Sequence, residues 1–132
     1  MDKVSEITTS RCTDAIEFHF SAAHHLPHVR PGHKDGRLHG HNYAAVIHFA
    51  GAIDPHTGWV VDFGEIKRLW EPLDDALDHR YLNEVEGLEN PTTEAVAKWI
   101  YDRLRPVLPG LIEVELRETQ RAHCRYRGEN QC

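Results

Sequence analysis

The chain has 132 residues, enough for one domain and too few for two with full cores. Its 15 Lys and Arg against 21 Asp and Glu give a net charge of −6, and no sustained basic run is present. Bulk DNA or RNA is therefore not expected as a partner, because such binding rests on neutralising phosphates. Hydrophobic residues make up 40 %, so a packed core is expected rather than disorder. No window holds the ~18 uncharged apolar residues of a membrane span. Met1 to Ser10 carries Asp2, Lys3 and Glu6 and lacks the apolar stretch of a secretory signal. Cys12, Cys124 and Cys132 are odd in number and show no CxxC spacing. That pattern predicts no disulfide framework and a reducing, cytoplasmic setting. The whole chain, 1–132, reads as one domain, with 1–11 a frayed lead-in.

From Ile16 the sequence alternates. Ile16, Phe18, Phe20, Ala22 and His24 share one parity and Glu17, His19 and Ser21 the other, which predicts a strand. Pro27 to Gly36 is a loop by composition. A second strand runs from His39 to Ile53, with Tyr43, Ala45, Ile47 and Phe49 on one face. Asp54 to Gly58 is a turn. Asp62 and Glu65 have the spacing of a capping box ahead of Phe63, Ile66, Trp70, Leu73 and Leu77 at helical intervals, with Pro72 expected to kink or shorten that helix. Thr92 and Thr93 open a second helix whose stripe is Val96, Trp99 or Ile100, Leu104 and Val107, ended by Pro109-Gly110. Ile112, Val114 and Leu116 alternate with charged residues as a third strand, and His123 to Arg127 form a short fourth. The order β-β-α-α-β-β gives an α+β fold with an antiparallel four-stranded sheet and two helices on one face.

Histidine carries the chemistry. Of 11 His, seven (His19, His24, His25, His28, His33, His39 and His41) lie between positions 19 and 41. Residues two apart on a strand point the same way, so His39 and His41 share the side of Tyr43, and His24 ends the apolar face of the first strand. Two antiparallel strands would bring these three imidazoles together. Three nitrogens with a fourth position open to water or substrate make the ligand set of a catalytic zinc site. The plainer reading, polar residues at strand ends, leaves unexplained why all three fall on apolar faces, where an unpaired imidazole costs ~1–3 kcal/mol. His25 has the opposite parity, and His19, His28, His33, His48, His56 and His123 read as solvated or loop residues.

Glu118 continues the parity of Val114 and Leu116. A carboxylate there either pairs with Arg121 or Arg125, or receives the two N–H groups of a guanine- or pterin-like edge. Asp78 beside His79 has the composition of an acid/base relay, although sequence neighbours often fail to reach each other. Arg30, Lys34 and Arg37 outnumber Asp35 in the loop, which suits either a phosphorylated small molecule or a solvated loop.

Phe20-Ser21-Ala22-Ala23-His24, Gly32-His33-Lys34 through Leu38-His39-Gly40-His41, Leu77-Asp78-His79, Asn90-Pro91-Thr92-Thr93-Glu94 and Arg117-Glu118-Thr119 occur in this order. Together they resemble the 6-pyruvoyl-tetrahydropterin synthase family, most nearly its bacterial 6-carboxytetrahydropterin synthase branch, over about residues 14 to 128. The resemblance implies the tunnelling (T-fold) architecture, with monomers closing into trimeric barrels and two trimers stacking as a hexamer. It implies His24, His39 and His41 as Zn2+ ligands, Asp78 and His79 as proton relay, Glu118 as pterin anchor, and Thr92 and Thr93 near the ring. The implied substrate is 7,8-dihydroneopterin triphosphate, whose phosphates the loop's charge surplus at Lys34 and Arg37 would suit. The implied products are 6-carboxy-5,6,7,8-tetrahydropterin, acetaldehyde and triphosphate, on the route to 7-deazaguanines and queuosine.

The sequence departs from the family pattern at Asp35, which stands where the family carries a catalytic Cys. A thiol titrates near ~8.5 and an Asp near ~3.9, so the carboxylate is the weaker base toward a carbon-bound proton. It still serves for a hydroxyl proton, as carbon–carbon cleavage requires. Family members with an acid (Glu) here are linked to 6-hydroxymethyl-7,8-dihydropterin and folate. That aldolase-type variant and a non-catalytic pterin binder are the alternatives.

Overall fold

The computed structural model describes residues 10–129. Of the expected lead-in, residues 1–9 lie outside the described part, as does Cys132, while Arg11 already belongs to a strand. β1 (Arg11–His24) and β2 (His39–Ala52) pair antiparallel along their full length. After them come α1 (Phe63–Leu77), β3 (Arg80–Tyr81), α2 (Thr93–Leu104), β4 (Leu111–Arg117) and β5 (His123–Tyr126). The sheet order is β3-β1-β2-β4-β5. It has five strands rather than the expected four, because Arg80–Tyr81 adds a two-residue strand parallel to β1 at Ala22 and Ala23. Two residues carry no periodicity, so this strand had no sequence signal. Among the described residues no helix is long and apolar enough to cross a membrane.

Both helices cover the sheet face that carries Phe20, Tyr43, Ile47, Val114 and Leu116. α1 buries Ile66, Trp70, Leu73 and Leu77, and Asp62 caps it by accepting from Gly64 N–H. Pro72 does not shorten α1: it lies on the exposed side, where water can satisfy the carbonyl that the missing N–H leaves free. Phe18 stacks on Trp70 and Phe20 on Tyr43, each pair with centroids 4.8 Å apart. α2 buries Val96, Ala97, Trp99, Ile100 and Leu104. Val107 lies beyond its end and is exposed, and Leu108 fills the core instead.

A second correction concerns β4. Ile112 is exposed, and Leu111 joins the buried face with Val114 and Leu116. The ladder with β2 shifts register between His48 and Phe49, so Ile112 is the extra residue of a bulge and parity reverses across it.

Candidate active site

The hairpin register sets the geometry. His24 lies opposite His39, and Ala22 opposite His41, at the end of the β1–β2 ladder. The three rings gather with centroids 4.5 Å (His24–His39), 4.9 Å (His39–His41) and 5.1 Å (His24–His41) apart. Their donor atoms all lie within 4.8 Å of one another. His24 is 1 % exposed, and Tyr43 forms the floor, its ring 5.6 Å from that of His41.

Hydrogen bonds identify which nitrogens are available. His24 Nδ1–H donates to the Pro91 carbonyl at 2.9 Å, and His39 Nδ1–H donates to the Arg37 carbonyl at 2.7 Å. These carbonyls fix both tautomers and leave each Nε2 with a bare lone pair. The two Nε2 atoms then meet at 3.0 Å, a repulsive arrangement without a cation between them. His41 Nε2 is buried with no hydrogen-bond partner. Burial, with the other two rings, holds the His41 pKa below the ordinary value against the opposing pull of Glu118 and Asp35, which favours the neutral ring that binds metal. Three converging imidazole nitrogens, one orphaned and two facing each other, fit a zinc ion.

Glu118 does not pair with Arg121 or Arg125. Thr93 Oγ1–H donates to its Oε2 at 2.7 Å, while its Oε1 lies 3.5 Å from His41 Nε2. Thr92 turns its hydroxyl to Ala95 N–H as the cap of α2. Asp78 and His79 do reach each other, His79 Nδ1 lying 2.9 Å from Asp78 Oδ2. Adjacent residues manage this because His79 has φ 59°, which folds its side chain back. Ser21 clamps the pair, donating its N–H to Asp78 Oδ1 at 2.9 Å and accepting His79 N–H at 2.6 Å. The Ser21 N–H and His79 hold the Asp78 carboxyl below the usual range.

His41, Asp78, Arg117 and Glu118 line an open cavity of about 980 Å³. A neighbouring cavity of about 510 Å³ shares Ser21, Gly40, His41 and Asn42 with it and adds His79 and Arg80. Asp35 sits on a 3-10 turn (Lys34–Gly36) whose start is capped by His33, the Asp35 N–H donating to His33 Nδ1 at 3.0 Å. His33 is the loop residue expected, and it also caps this turn. Asp35 lines neither cavity. Lys34 and Arg37 line neither cavity; Arg37 borders a separate one with Arg30 and His33. The arginine that does line the larger cavity is Arg117, of parity opposite to Glu118 and singled out in the sequence only within the Arg117-Glu118-Thr119 motif.

His48 is not a solvated histidine either. It stands on the helix-free face of the sheet with Glu113 and Glu115, a second grouping of metal-ligating atoms. Here, however, Arg127 Nε–H donates to Glu113 at 2.7 Å, Arg117 Nε–H donates to Glu115 at 3.1 Å, and Arg125 lies 3.8–3.9 Å from both. Three guanidinium charges already neutralise the two carboxylates.

Residues 15–129 match the family model for 6-pyruvoyl tetrahydropterin synthase. The chain is 43 % identical over 116 residues to the 6-carboxy-5,6,7,8-tetrahydropterin synthase of Synechocystis, covering 83 % of this chain and 88 % of that one. It is 38 % identical over 78 residues to a dihydroneopterin monophosphate aldolase of Pyrococcus furiosus, covering 59 % and 65 %. The Caenorhabditis elegans 6-pyruvoyl tetrahydropterin synthase structure superposes with a TM-score of 0.84 at 29 % identity, over 91 % of this chain and 97 % of that one. The fold is the T-fold, and it carries a triad of converging histidines. The chain belongs to the 6-pyruvoyl tetrahydropterin synthase family and is an enzyme similar to the 6-carboxytetrahydropterin synthases.

Proposed function

We propose that the protein is a zinc-dependent pterin lyase that converts 7,8-dihydroneopterin triphosphate and water to 6-carboxy-5,6,7,8-tetrahydropterin, acetaldehyde and triphosphate. The observation that carries this reading is the convergence of the His24, His39 and His41 Nε2 atoms beside Glu118. His24, His39 and His41 would hold the ion, which when bound supplies Lewis acidity toward the oxygens of the substrate side chain. Glu118 accepts the pterin's paired N–H groups, its carboxylate steadied by Thr93. Thr92 helps frame the ring from the same turn. Asp78 holds His79 Nδ1–H, leaving His79 Nε2 to take and return a proton. Asp35 is the second base, a carboxylate suited to a hydroxyl proton rather than a carbon-bound one. Lys34 and Arg37 steer the phosphates by charge. The assembly is a homo-hexamer of two trimers; apart from the β3 contact at Ala22 and Ala23, the outer edge of β1 pairs with no other strand among the described residues, and a second copy would cover it.

A second reading, aldolase chemistry giving 6-hydroxymethyl-7,8-dihydropterin, is favoured by the acidic residue at position 35 and by the similarity to the Pyrococcus aldolase. Incubating the zinc-loaded protein with 7,8-dihydroneopterin triphosphate and analysing products by mass spectrometry decides between them. Acetaldehyde with a carboxylated pterin supports the lyase. A glycolaldehyde-type fragment supports the aldolase, and unchanged substrate that nevertheless binds indicates a non-catalytic pterin binder.

A further inference from the structure

The two adjacent threonines at the start of α2 face different halves of the site. Thr92 is pinned three ways: its N–H donates to the Asn90 carbonyl at 2.9 Å, its hydroxyl accepts Ala95 N–H at 3.1 Å, and its carbonyl accepts Val96 N–H at 3.0 Å. The peptide unit joining Pro91 to Thr92 is planar, so fixing Thr92 N–H fixes the direction of the Pro91 carbonyl. That carbonyl is the hydrogen-bond acceptor for His24 Nδ1–H. Thr93, one residue on, turns its hydroxyl to Glu118.

We propose that Thr92 is a positioning residue for the metal ligand His24, acting through the Pro91 carbonyl, and that the start of α2 sets the spacing between the metal centre and the pterin anchor. The inference rests on the site reading above but concerns a different quantity, the orientation of one imidazole. A carbonyl held on Nδ1–H keeps the His24 lone pair aimed at the ion and raises the basicity of Nε2; loss of such outer support weakens metal binding about 10–100-fold. With the cap gone, the Asn90–Thr92 turn relaxes and the carbonyl swings. Ser in place of Thr92 retains the capping hydroxyl; Val, nearly the same shape, does not.

The test measures zinc affinity by competition with a chromophoric chelator, together with the visible spectrum of the Co2+-loaded protein, in wild type, Thr92→Val, Thr92→Ser and Thr93→Val. Thr92→Val is expected to weaken zinc about tenfold and to shift the Co2+ bands, whereas Thr92→Ser matches wild type. Thr93→Val is expected to keep zinc affinity within about twofold while weakening pterin binding, because its hydroxyl serves Glu118. Should Thr92→Val fold poorly, Thr92→Gly, which helix starts tolerate, removes the same hydroxyl and is expected to show the same loss. Wild-type zinc affinity in Thr92→Val or Thr92→Gly overturns the proposal, as does failure of Ser to restore it. Neither arm requires turnover, so a protein that binds zinc as described yet leaves the pterin triphosphate intact refutes the lyase reading and spares this one.

Discussion

Two clusters of His and carboxylate share one sheet, and they have opposite electrostatic solutions. At the end of the β1–β2 hairpin, His24, His39 and His41 stand on the helix-covered face with two lone pairs opposed and a third nitrogen without a hydrogen bond. On the bare face, His48, Glu113 and Glu115 have equally suitable ligand atoms, but Arg117, Arg125 and Arg127 surround them. The first cluster lacks a positive charge and the second already has three. Residue type and proximity are therefore a poor guide to a metal site; what matters is whether the protein supplies the counter-charge itself.

Variants at the two clusters sharpen this contrast. His39→Ala should remove metal and lower turnover by about a thousandfold or more, in keeping with an essential electrophilic group, whereas His48→Ala should keep both within about twofold; steady-state kinetics with metal analysis reads each. Glu118→Gln should raise KM for the pterin about a hundredfold, the scale of a charge-assisted bidentate contact, with zinc content unchanged. Asp35→Cys, which puts a thiol in place of the carboxylate, should shift activity toward elimination chemistry, seen as a new product in the mass spectrum; an unaltered product pattern rejects the role given to Asp35.

Smaller effects belong to the arginine-rich face. Arg127→Met leaves the buried Glu113 with its closest cation gone and should cost about 1–3 kcal/mol by urea unfolding. Glu115 is pushed up by burial, but hydrogen bonds from Arg117 and His48 outweigh this and hold its carboxyl below the ordinary value. A lowered folded-state pKa contributes stability above the unfolded value of ~4.3 that is lost as pH falls through the folded one. The Tm gap between wild type and Arg117→Gln should thus be full at pH 6–7 and close below about pH 4.

Much of the site was legible because strand periodicity is rigid. His39-Gly40-His41 needed only a period of two to place both rings on one face, and the parity of His24 predicted their partner. Glu118 emerged in the same way, since the part of β4 that precedes it, from Val114 on, lies beyond the bulge. The same logic failed at Ile112, where one extra residue reversed the face, and at Arg80–Tyr81, too short for any pattern. Contacts that depend on backbone carbonyls, such as Pro91 to His24, have no residue-type signature at all. The Asp78–His79 contact depended on a left-handed His79 that composition does not predict. His48 was missed because its carboxylates come from another strand, joined only once β2 and β4 pair.

The most direct test of the account is metal stoichiometry by elemental analysis after chelation and zinc reconstitution, in wild type, His41→Ala and His48→Ala. The account predicts about one ion per chain in wild type and His48→Ala, and none in His41→Ala. An ion retained by His41→Ala but lost from His48→Ala would contradict it and move the metal to the opposite face of the sheet.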